Sequence, residues 1–416
     1  MNLAKTSFLS FISSAIKIIS GLVINKAISV LIGPTGLATI AQFQNFIQLS
    51  MTFAKGGINS GVTKLLAQFN DDNPKCEKVV STALLITLLC SIITGIFIVL
   101  FRQEIASNIF NSDDKEYLFI LLGCTITLFS TNQLILSIIN GYRKIKLFIG
   151  VDITQSIYGL IFTTLLIYFF AIDGALIALA TNQSVVLVIV IVYIKKNRVF
   201  SNLSISRRFD RKIGKVLLSF SIMSITTLVC APLSQMAIRD IIVSKSGWID
   251  AGYWQGVWLL SNTYLTVVTT ALTTYLLPQI SSLKDKVDIK LEIFSCLKLI
   301  IPFVSLLSLV VFFLRDFIVI VLYSREFLPM SELFAFQMIG NVIKMTAWIF
   351  SFVIISKAMT KKHVISEVVA TTVFIFSTYV LVDIYGVVGA TYSYVITYIV
   401  YLVLVFFFVK NEIFSV

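Results

Sequence analysis

The stretch Thr82–Phe101, TALLITLLCSIITGIFIVLF, has no ionisable side chain except Cys90. As a helix rising about 1.5 Å per residue it would be about 30 Å long, the thickness of a bilayer's hydrocarbon core. Leu118–Tyr142 reads the same way, with Cys124 and Tyr142 its only ionisable groups. The composition of all 416 residues agrees: 57% are hydrophobic, 13% are charged, and the mean hydropathy is +0.94. Soluble domains carry about 25% charge, so a water-soluble globule is excluded. The chain reads as an all-α polytopic membrane protein.

Outward from that stretch, the apolar blocks place about twelve spans: 6–32, 37–66, 79–101, 117–140, 147–171, 174–194, 214–238, 249–278, 290–314, 330–356, 363–382 and 386–409. No large soluble domain fits between them. An even number puts both termini on one side. The amino terminus, the even-numbered connections and the carboxyl terminus hold 22 Lys and Arg, including Arg143, Lys144, Lys146, Lys357, Lys361 and Lys362 and counting Lys215, Lys290 and Lys298 at the starts of the helices that follow. The odd-numbered connections hold six: Arg102, Lys115, Arg239, Lys245, Arg315 and Arg325. Basic residues stay with the cytoplasm, so both termini are expected there. The formal charge of +12 then sets topology, and no nucleic-acid partner is expected.

The richest basic stretch, Lys195–Lys215, sets eight basic residues against Asp210 at the middle of the chain. It divides the sequence into an N-terminal six-helix lobe (1–194), a basic cytoplasmic linker (195–213) and a C-terminal six-helix lobe (214–416). Such a linker can rest on anionic lipid headgroups. The five cysteines have neither zinc-ligand nor disulfide spacing and read as membrane packing. The first apolar run, from after Lys5 to Gly33, is too long for the core of a cleaved signal and is expected to be its own insertion signal.

Internal repetition supports two halves. A shift of 211 residues aligns Gly36–Gln68 with Gly247–Gln279 and makes 9 of 33 positions identical, among them Gly36/Gly247, Gln44/Gln255, Ser50/Ser261 and Gln68/Gln279. Six spans separate the copies, so both run in the same direction. The two lobes are therefore expected to be parallel repeats about a pseudo-two-fold axis along the membrane normal, a plan used by alternating-access transporters.

Five lysines fall inside spans: Lys17, Lys26, Lys55, Lys64 and Lys344. Each costs about 2.5–3.5 kcal/mol at a helix centre. Lys26 and Lys64 are near enough to span ends to snorkel; Lys17, Lys55 and Lys344 are not. The acids Asp152, Asp250, Glu292, Glu332 and Glu367 read as solvated near helix ends, so the central lysines are expected to face a watery cavity and an anion. Lys17 and Lys26 are nine residues apart, as are Lys55 and Lys64, and nine steps of about 100° put each pair on opposite faces. One member snorkels, or the helix is distorted between them; Gly56-Gly57 and Gly61 allow distortion in the second span, although glycines in membrane helices more often mark close packing.

That span also carries Gln42, Gln44, Asn45, Gln48 and Asn59. Gln44 and Gln48 share a face and suit sugar hydroxyls, although bonds between helices are the plainer use of amides. Tyr253, Trp254 and Trp258 in the second copy read either as sugar-stacking rings or as an interfacial aromatic belt. The single histidine, His363, reads as a solvated topogenic residue. No nucleotide loop, metal cluster or HExxH is present, so no metal, cofactor or catalytic residue is expected, and the chain does not read as an enzyme.

Several short blocks in fixed order carry a further reading: Leu3-Ala4-Lys5, Lys17, Lys26, Gly33-Pro34-Thr35-Gly36-Leu37, Gly61-Val62-Thr63-Lys64, Ala67-Gln68, Asp72-Asn73-Pro74, Trp254-Gln255-Gly256, Tyr275-Leu276-Leu277-Pro278, Leu314-Arg315-Asp316-Phe317, Leu333-Phe334-Ala335 and Ser356-Lys357-Ala358. Over essentially its full length the chain resembles the Wzx polysaccharide-unit flippases of the multidrug/oligosaccharidyl-lipid/polysaccharide exporter (MOP) superfamily, most closely the WzxE-type lipid III flippases. The resemblance implies a V-shaped, MATE-like, two-lobed fold in the bacterial inner membrane. It implies a cargo of undecaprenyl-pyrophosphate-linked oligosaccharide, an O-antigen or enterobacterial common antigen unit, moved to the periplasmic leaflet. Membrane lipids, a glycan polymerase and chain-length proteins are the partners it implies. Lys17, Lys26 and Lys64 match the family pattern and Lys55 does not. Asn341 stands where WzxE-type members are expected to carry an aspartate.

The residues expected to meet the anionic headgroup are Lys17, Lys26, Lys55, Lys64, Arg239, Lys344, Gln44 and Gln48. A multidrug exporter of the same superfamily is the alternative, disfavoured by a positive cavity without a central acid. A glycan polymerase or ligase is a further one, disfavoured by short outer loops.

Overall fold

The computed structural model describes residues 3–69, 72–112, 114–196, 209–283 and 285–413, and among these all regular structure is helical. The helices are α1 (Leu3–Leu31), α2 (Pro34–Ala54), α3 (Asn59–Gln68), α4 (Asn73–Leu100), α5 (Arg102–Phe110), α6 (Glu116–Gly141), α7 (Ile145–Lys196), α8 (Arg211–Ser246), α9 (Trp248–Ser282), α10 (Lys286–Phe313), α11 (Arg315–Leu322), α12 (Phe334–Ser356), α13 (Thr360–Tyr385) and α14 (Val388–Ile413). A 3-10 segment, Arg325–Leu333, precedes α12. Every expected span has its helix, the second being divided into α2 and α3, and α7 supplying two. Eight stretches of the described residues are long and apolar enough to cross a membrane. The amide- and hydroxyl-rich α2 and α9 are not among them, and α7 counts once. The middle of the basic linker, residues 197–208, lies outside the described residues.

The residues divide into two compact units, 1–31 with 42–229 and 32–41 with 230–416. The division falls inside α8, and the α1–α2 turn goes with the second unit. Within the first unit, Ile58, Val62 and Leu66 of α3 pack on Cys76, Val79, Val80 and Ala83 of α4, with Leu134 and Ile138 of α6. Within the second, Leu265, Leu272 and Leu276 of α9 pack with Met345, Phe350 and Val353 of α12 and Val405 of α14. The opposite faces stay apolar and exposed: Leu89, Ile93, Ile96 and Leu100 on α4, and Leu299, Phe303, Leu306 and Phe313 on α10. Exposed apolar surface of that extent suits lipid, which solvates it without cost.

The distortion expected in the second span is present. Gly56 and Gly57 hold φ of +59° and +64°, a conformation that side-chain-bearing residues avoid, and α2 ends while α3 begins beyond them. The aligned copy has Val267-Val268 at these positions, and α9 runs unbroken through them. Glycine freedom against β-branched stiffness accounts for the difference.

The duplication also appears as local devices used twice. Arg102 donates to the Val99 carbonyl at 3.3 Å and Arg315 donates to the Phe312 carbonyl at 2.9 Å, each fastening a short helix to the end of a long one. Inside α7 the backbone breaks at Ala171, with φ 48° and ψ −124°, and the chain doubles back so that Gly159 faces Asn182. Gly386, with φ 61° and ψ −152°, does the same between α13 and α14. Three residues after each break a glycine, Gly174 or Gly389, leaves room for the carbonyl of Leu166 or Leu381. Ala171 therefore occupies a conformation that glycine holds in the second copy. Ala171→Gly is expected to stabilise the protein by about 0.5–1 kcal/mol, read as a higher unfolding midpoint in detergent.

At the start of α4, Asp72 accepts from the Lys75 backbone N–H at 3.1 Å and pairs with the Lys75 ammonium at 2.8 Å. These contacts hold its carboxyl below the ordinary carboxylate range. Two boundaries differ from expectation. The seventh span extends to Ser246 and the next starts at Trp248, so Arg239 lies inside a helix and not in a connection. It is 0% exposed, donates to Gln255 Oε1 and lies over the Trp254 ring at 5.8 Å. Its guanidinium finds partners within the fold, which is why the helix need not end before it.

Candidate functional site

Polar residues on five helices of the first unit line a cavity of about 660 Å³. On the first arm of α7, Asp152, Gln155, Ser156 and Gly159 stand at i, i+3, i+4 and i+7, a single helical face. That face meets Gln133, Ser137 and Asn140 of α6, Asn182 and Gln183 of the second arm, Asn59 and Thr63 of α3, Gln44 of α2, and Lys17 and Ser20 of α1. The wall is tied together across helices. Asn132 Nδ2 donates to Gln183 Oε1 at 3.0 Å, Thr125 donates to the Ala180 carbonyl at 2.8 Å, and Thr63 donates to the Ser137 carbonyl at 3.1 Å. Ser13, one turn before Lys17, donates to Asp152 Oδ2 at 2.7 Å and ties α1 to α7. The break at Gly56-Gly57 brings Asn59, the first residue of α3, to the same wall. Here the helix start offers backbone N–H groups that no helical carbonyl satisfies.

The cavity carries one ammonium, Lys17, and one carboxylate, Asp152. Asp152 was expected to be solvated at a helix end; the structure instead places it on the cavity wall, because α7 begins at Ile145 and carries Asp152 two turns inward. The cations of the first unit gather elsewhere, in a cavity of about 500 Å³ at the α6–α7 turn lined by Arg143, Lys144, Lys146 and Tyr193.

The second unit buries a lysine among rings. Lys344 is 5% exposed. Its ammonium lies 5.4 Å from the Trp258 ring, 5.0 Å from Trp348, 5.8 Å from Tyr394 and 5.3 Å from Tyr398. Ring faces attract cations, and more strongly where water is excluded. The charge of Glu367 also acts on Lys344, and Tyr401 donates to Glu367 at 3.1 Å. One turn before Lys344, Asn341 spends its whole amide. Its Nδ2 donates to Ser261 Oγ at 3.0 Å and Tyr264 Oη at 2.6 Å, and its Oδ1 accepts from Tyr394 at 2.9 Å. An aspartate there would have no hydrogens to donate, so the Ser261 and Tyr264 hydroxyls would have to turn and donate to it.

Of the residues expected to meet cargo, Lys17 and Gln44 line the cavity of the first unit. Lys26, nine residues along the unbroken α1, is half-buried and is not among the lining residues; like Lys64, it has an interaction within the protein. Lys55 is half-buried at the α2–α3 break, whereas Lys64 and Gln48 are exposed. Arg239 and Lys344 are buried within the second unit. The belt reading of Trp254 fails: the ring is 1% exposed, between Arg239 and Trp258. His363 is also buried, not solvated, because α13 starts at Thr360 and turns it inward. Gln133, Asn140, Asp152, Gln155, Asn182 and Gln183 were missed as site residues. The polar stripe along the first arm of α7 was the available signal.

Comparison with known proteins places these features. A family described as "Polysaccharide biosynthesis protein" matches residues 29–332. The chain is 31% identical over 406 residues to the lipid III flippases of Escherichia coli (strain K12) and Shigella flexneri, covering 96% of both chains in each comparison. Its fold is similar to an inward-facing multidrug resistance MATE family transporter of the MOP superfamily, with TM-score 0.78 and 16% identity over 95% of this chain and 94% of that one. It is also similar to the lipid II flippase MurJ, with TM-score 0.77 and 17% identity over 98% of this chain and 87% of that one.

Proposed function

Because the chain belongs to the polysaccharide biosynthesis protein family of membrane flippases, we propose that it carries an undecaprenyl-pyrophosphate-linked oligosaccharide from the cytoplasmic to the periplasmic leaflet of a bacterial inner membrane. The cavity of the first unit is the observation that carries this reading. A polar space of about 660 Å³ among membrane-spanning helices is costly unless it receives a polar cargo, and its size falls within the usual range for ligand sites. The polyprenyl tail stays in lipid, and alternating access exposes the headgroup to one leaflet and then the other. The charge distribution of the connections supports cytoplasmic termini. A glycan polymerase and chain-length proteins would take the flipped unit.

Asp152 gives the multidrug alternative its one favourable feature, an acid inside a cavity. Ser13 and the facing Lys17 count against a site for cations. Deleting the gene in a strain without a redundant flippase separates the readings. Accumulation of one lipid-linked glycan in the inner leaflet, identified by mass spectrometry, is expected; its absence overturns the flippase reading. Lys17→Met keeps the length of the side chain and removes the one ammonium of the cavity that could donate to cargo. It is expected to lower transport-dependent surface glycan by about ten- to a hundredfold at equal protein level.

A further inference from the structure

The lining of the first-unit cavity is unusual in what it balances. Seven amides (Gln44, Asn59, Gln133, Asn140, Gln155, Asn182 and Gln183) and four hydroxyls (Ser20, Thr63, Ser137 and Ser156) accompany a single Lys17 and a single Asp152. The formal charges cancel. No ion pair within 4 Å joins Lys17 to Asp152 among the described residues, so the two stand apart and leave the space between them to a ligand.

A pyrophosphate brings several negative charges and only acceptor oxygens. Withdrawn from water, it needs matching cations and donors; a wall with no net charge and a carboxylate of its own repels it. Sugars present the opposite chemistry. Each hydroxyl donates and accepts, and an acetamido group offers one N–H and one carbonyl. A side-chain amide has both donors and acceptors within a few ångströms and matches either group. Asn182 fits against α7 only because residue 159 is glycine, where a Cβ would come within 2.8 Å of Asn182 Nδ2. Phe148 adds an apolar ring to the lining.

We propose that this cavity takes the saccharide of the cargo, a sugar bearing hydroxyl and N-acyl groups, and leaves the pyrophosphate outside it. The amides and hydroxyls of the lining read the sugar, and Lys17 and Asp152 keep the wall neutral. This rests on the flippase reading above and adds which part of the cargo the first unit recognises.

The test uses the full-length protein in lipid nanodiscs and two probes, undecaprenyl pyrophosphate without sugar and the same lipid carrying N-acetylglucosamine, measured by native mass spectrometry. The sugar-bearing lipid is expected to bind about tenfold tighter or more, since a site built to hydrogen-bond a group discriminates against its absence. Gln155→Ala and Asn182→Ala are expected to bring that preference to within about twofold while leaving the affinity for the bare lipid unchanged. Gln44→Ala, at an exposed part of the lining, serves where either variant fails to fold. Inorganic pyrophosphate is expected not to displace the sugar-bearing lipid. Equal binding of both lipids by the wild type, an undiminished preference in the variants, or displacement by pyrophosphate would overturn the inference. If equal binding accompanies accumulation of a lipid-linked glycan in the deletion strain, the flippase reading stands and only the sugar assignment falls. If neither lipid binds and nothing accumulates, both fall.

Discussion

Trp258→Ala is expected to cost about 3–5 kcal/mol of stability. The Trp258 ring meets Trp254 at 5.5 Å, Tyr394 at 5.5 Å and Phe374 at 6.3 Å, and forms one wall around the Lys344 ammonium. Truncation leaves a void that three large rings cannot fill without leaving their rotamers, and it opens one side of a cage around a buried cation. Lys344→Met is the informative companion. Methionine keeps most of the volume and removes the ammonium, and replacing buried charge by apolar volume is often neutral or stabilising by about 1–4 kcal/mol. The two variants should therefore move the unfolding midpoint in opposite directions when followed by intrinsic fluorescence in detergent. A Trp258→Ala protein that unfolds at the wild-type temperature would show that the cage is not packed as described.

Gly123→Val carries the second large effect. At the crossing of α4 and α6, a Cβ on Gly95 would lie 2.6 Å from the Gly123 carbonyl oxygen, and one on Gly123 would lie 2.9 Å from the Gly95 carbonyl oxygen and press on Val99. Backbone meets backbone there, so no side chain can swing aside. Small residues permit such close approach between membrane helices. Valine must push the helices apart, at a cost of about 1–3 kcal/mol or more. Gly95→Val should do much the same, and the double variant should cost less than the two together, because the first substitution has already opened the crossing. Full additivity in the unfolding midpoints would contradict this contact.

The helices were legible because lipid demands a plain signal: about twenty apolar residues with all backbone bonds closed internally. The break at Gly56-Gly57 was legible only in part: lysines nine residues apart called for a snorkelling member or a distorted helix, but glycines in a span serve close packing as readily. The interior was harder to read. Arg239, Trp254 and His363 lay near expected helix ends, where solvated or interfacial roles are the ordinary ones. Their burial depends on partners such as Gln255 and Trp258 that only the folded chain brings near. The cavity shows the same limit. Lys17 and Gln44 stood out because each is conspicuous in its own helix. Asn182 and Gln133 gain meaning only beside the face of Asp152, Gln155 and Ser156, more than twenty residues from the first and nearly twenty from the second. A periodicity search for polar residues inside apolar arms would have found that face; it would not have found what lies opposite.

The cancellation of Lys17 against Asp152 has an electrical consequence. Each elementary charge moved through a membrane potential exchanges about 2.3 kcal/mol per 100 mV. A wall whose formal charges sum to zero moves no net charge through the field when it turns from one leaflet to the other. Through this wall, voltage then acts only on the charge of the cargo, and a potential that is negative inside favours the outward passage of an anion. A neutral wall also adds no work against the field when the empty protein returns, so it leaves the voltage sensitivity of a cycle to the cargo and to charges elsewhere in the helices.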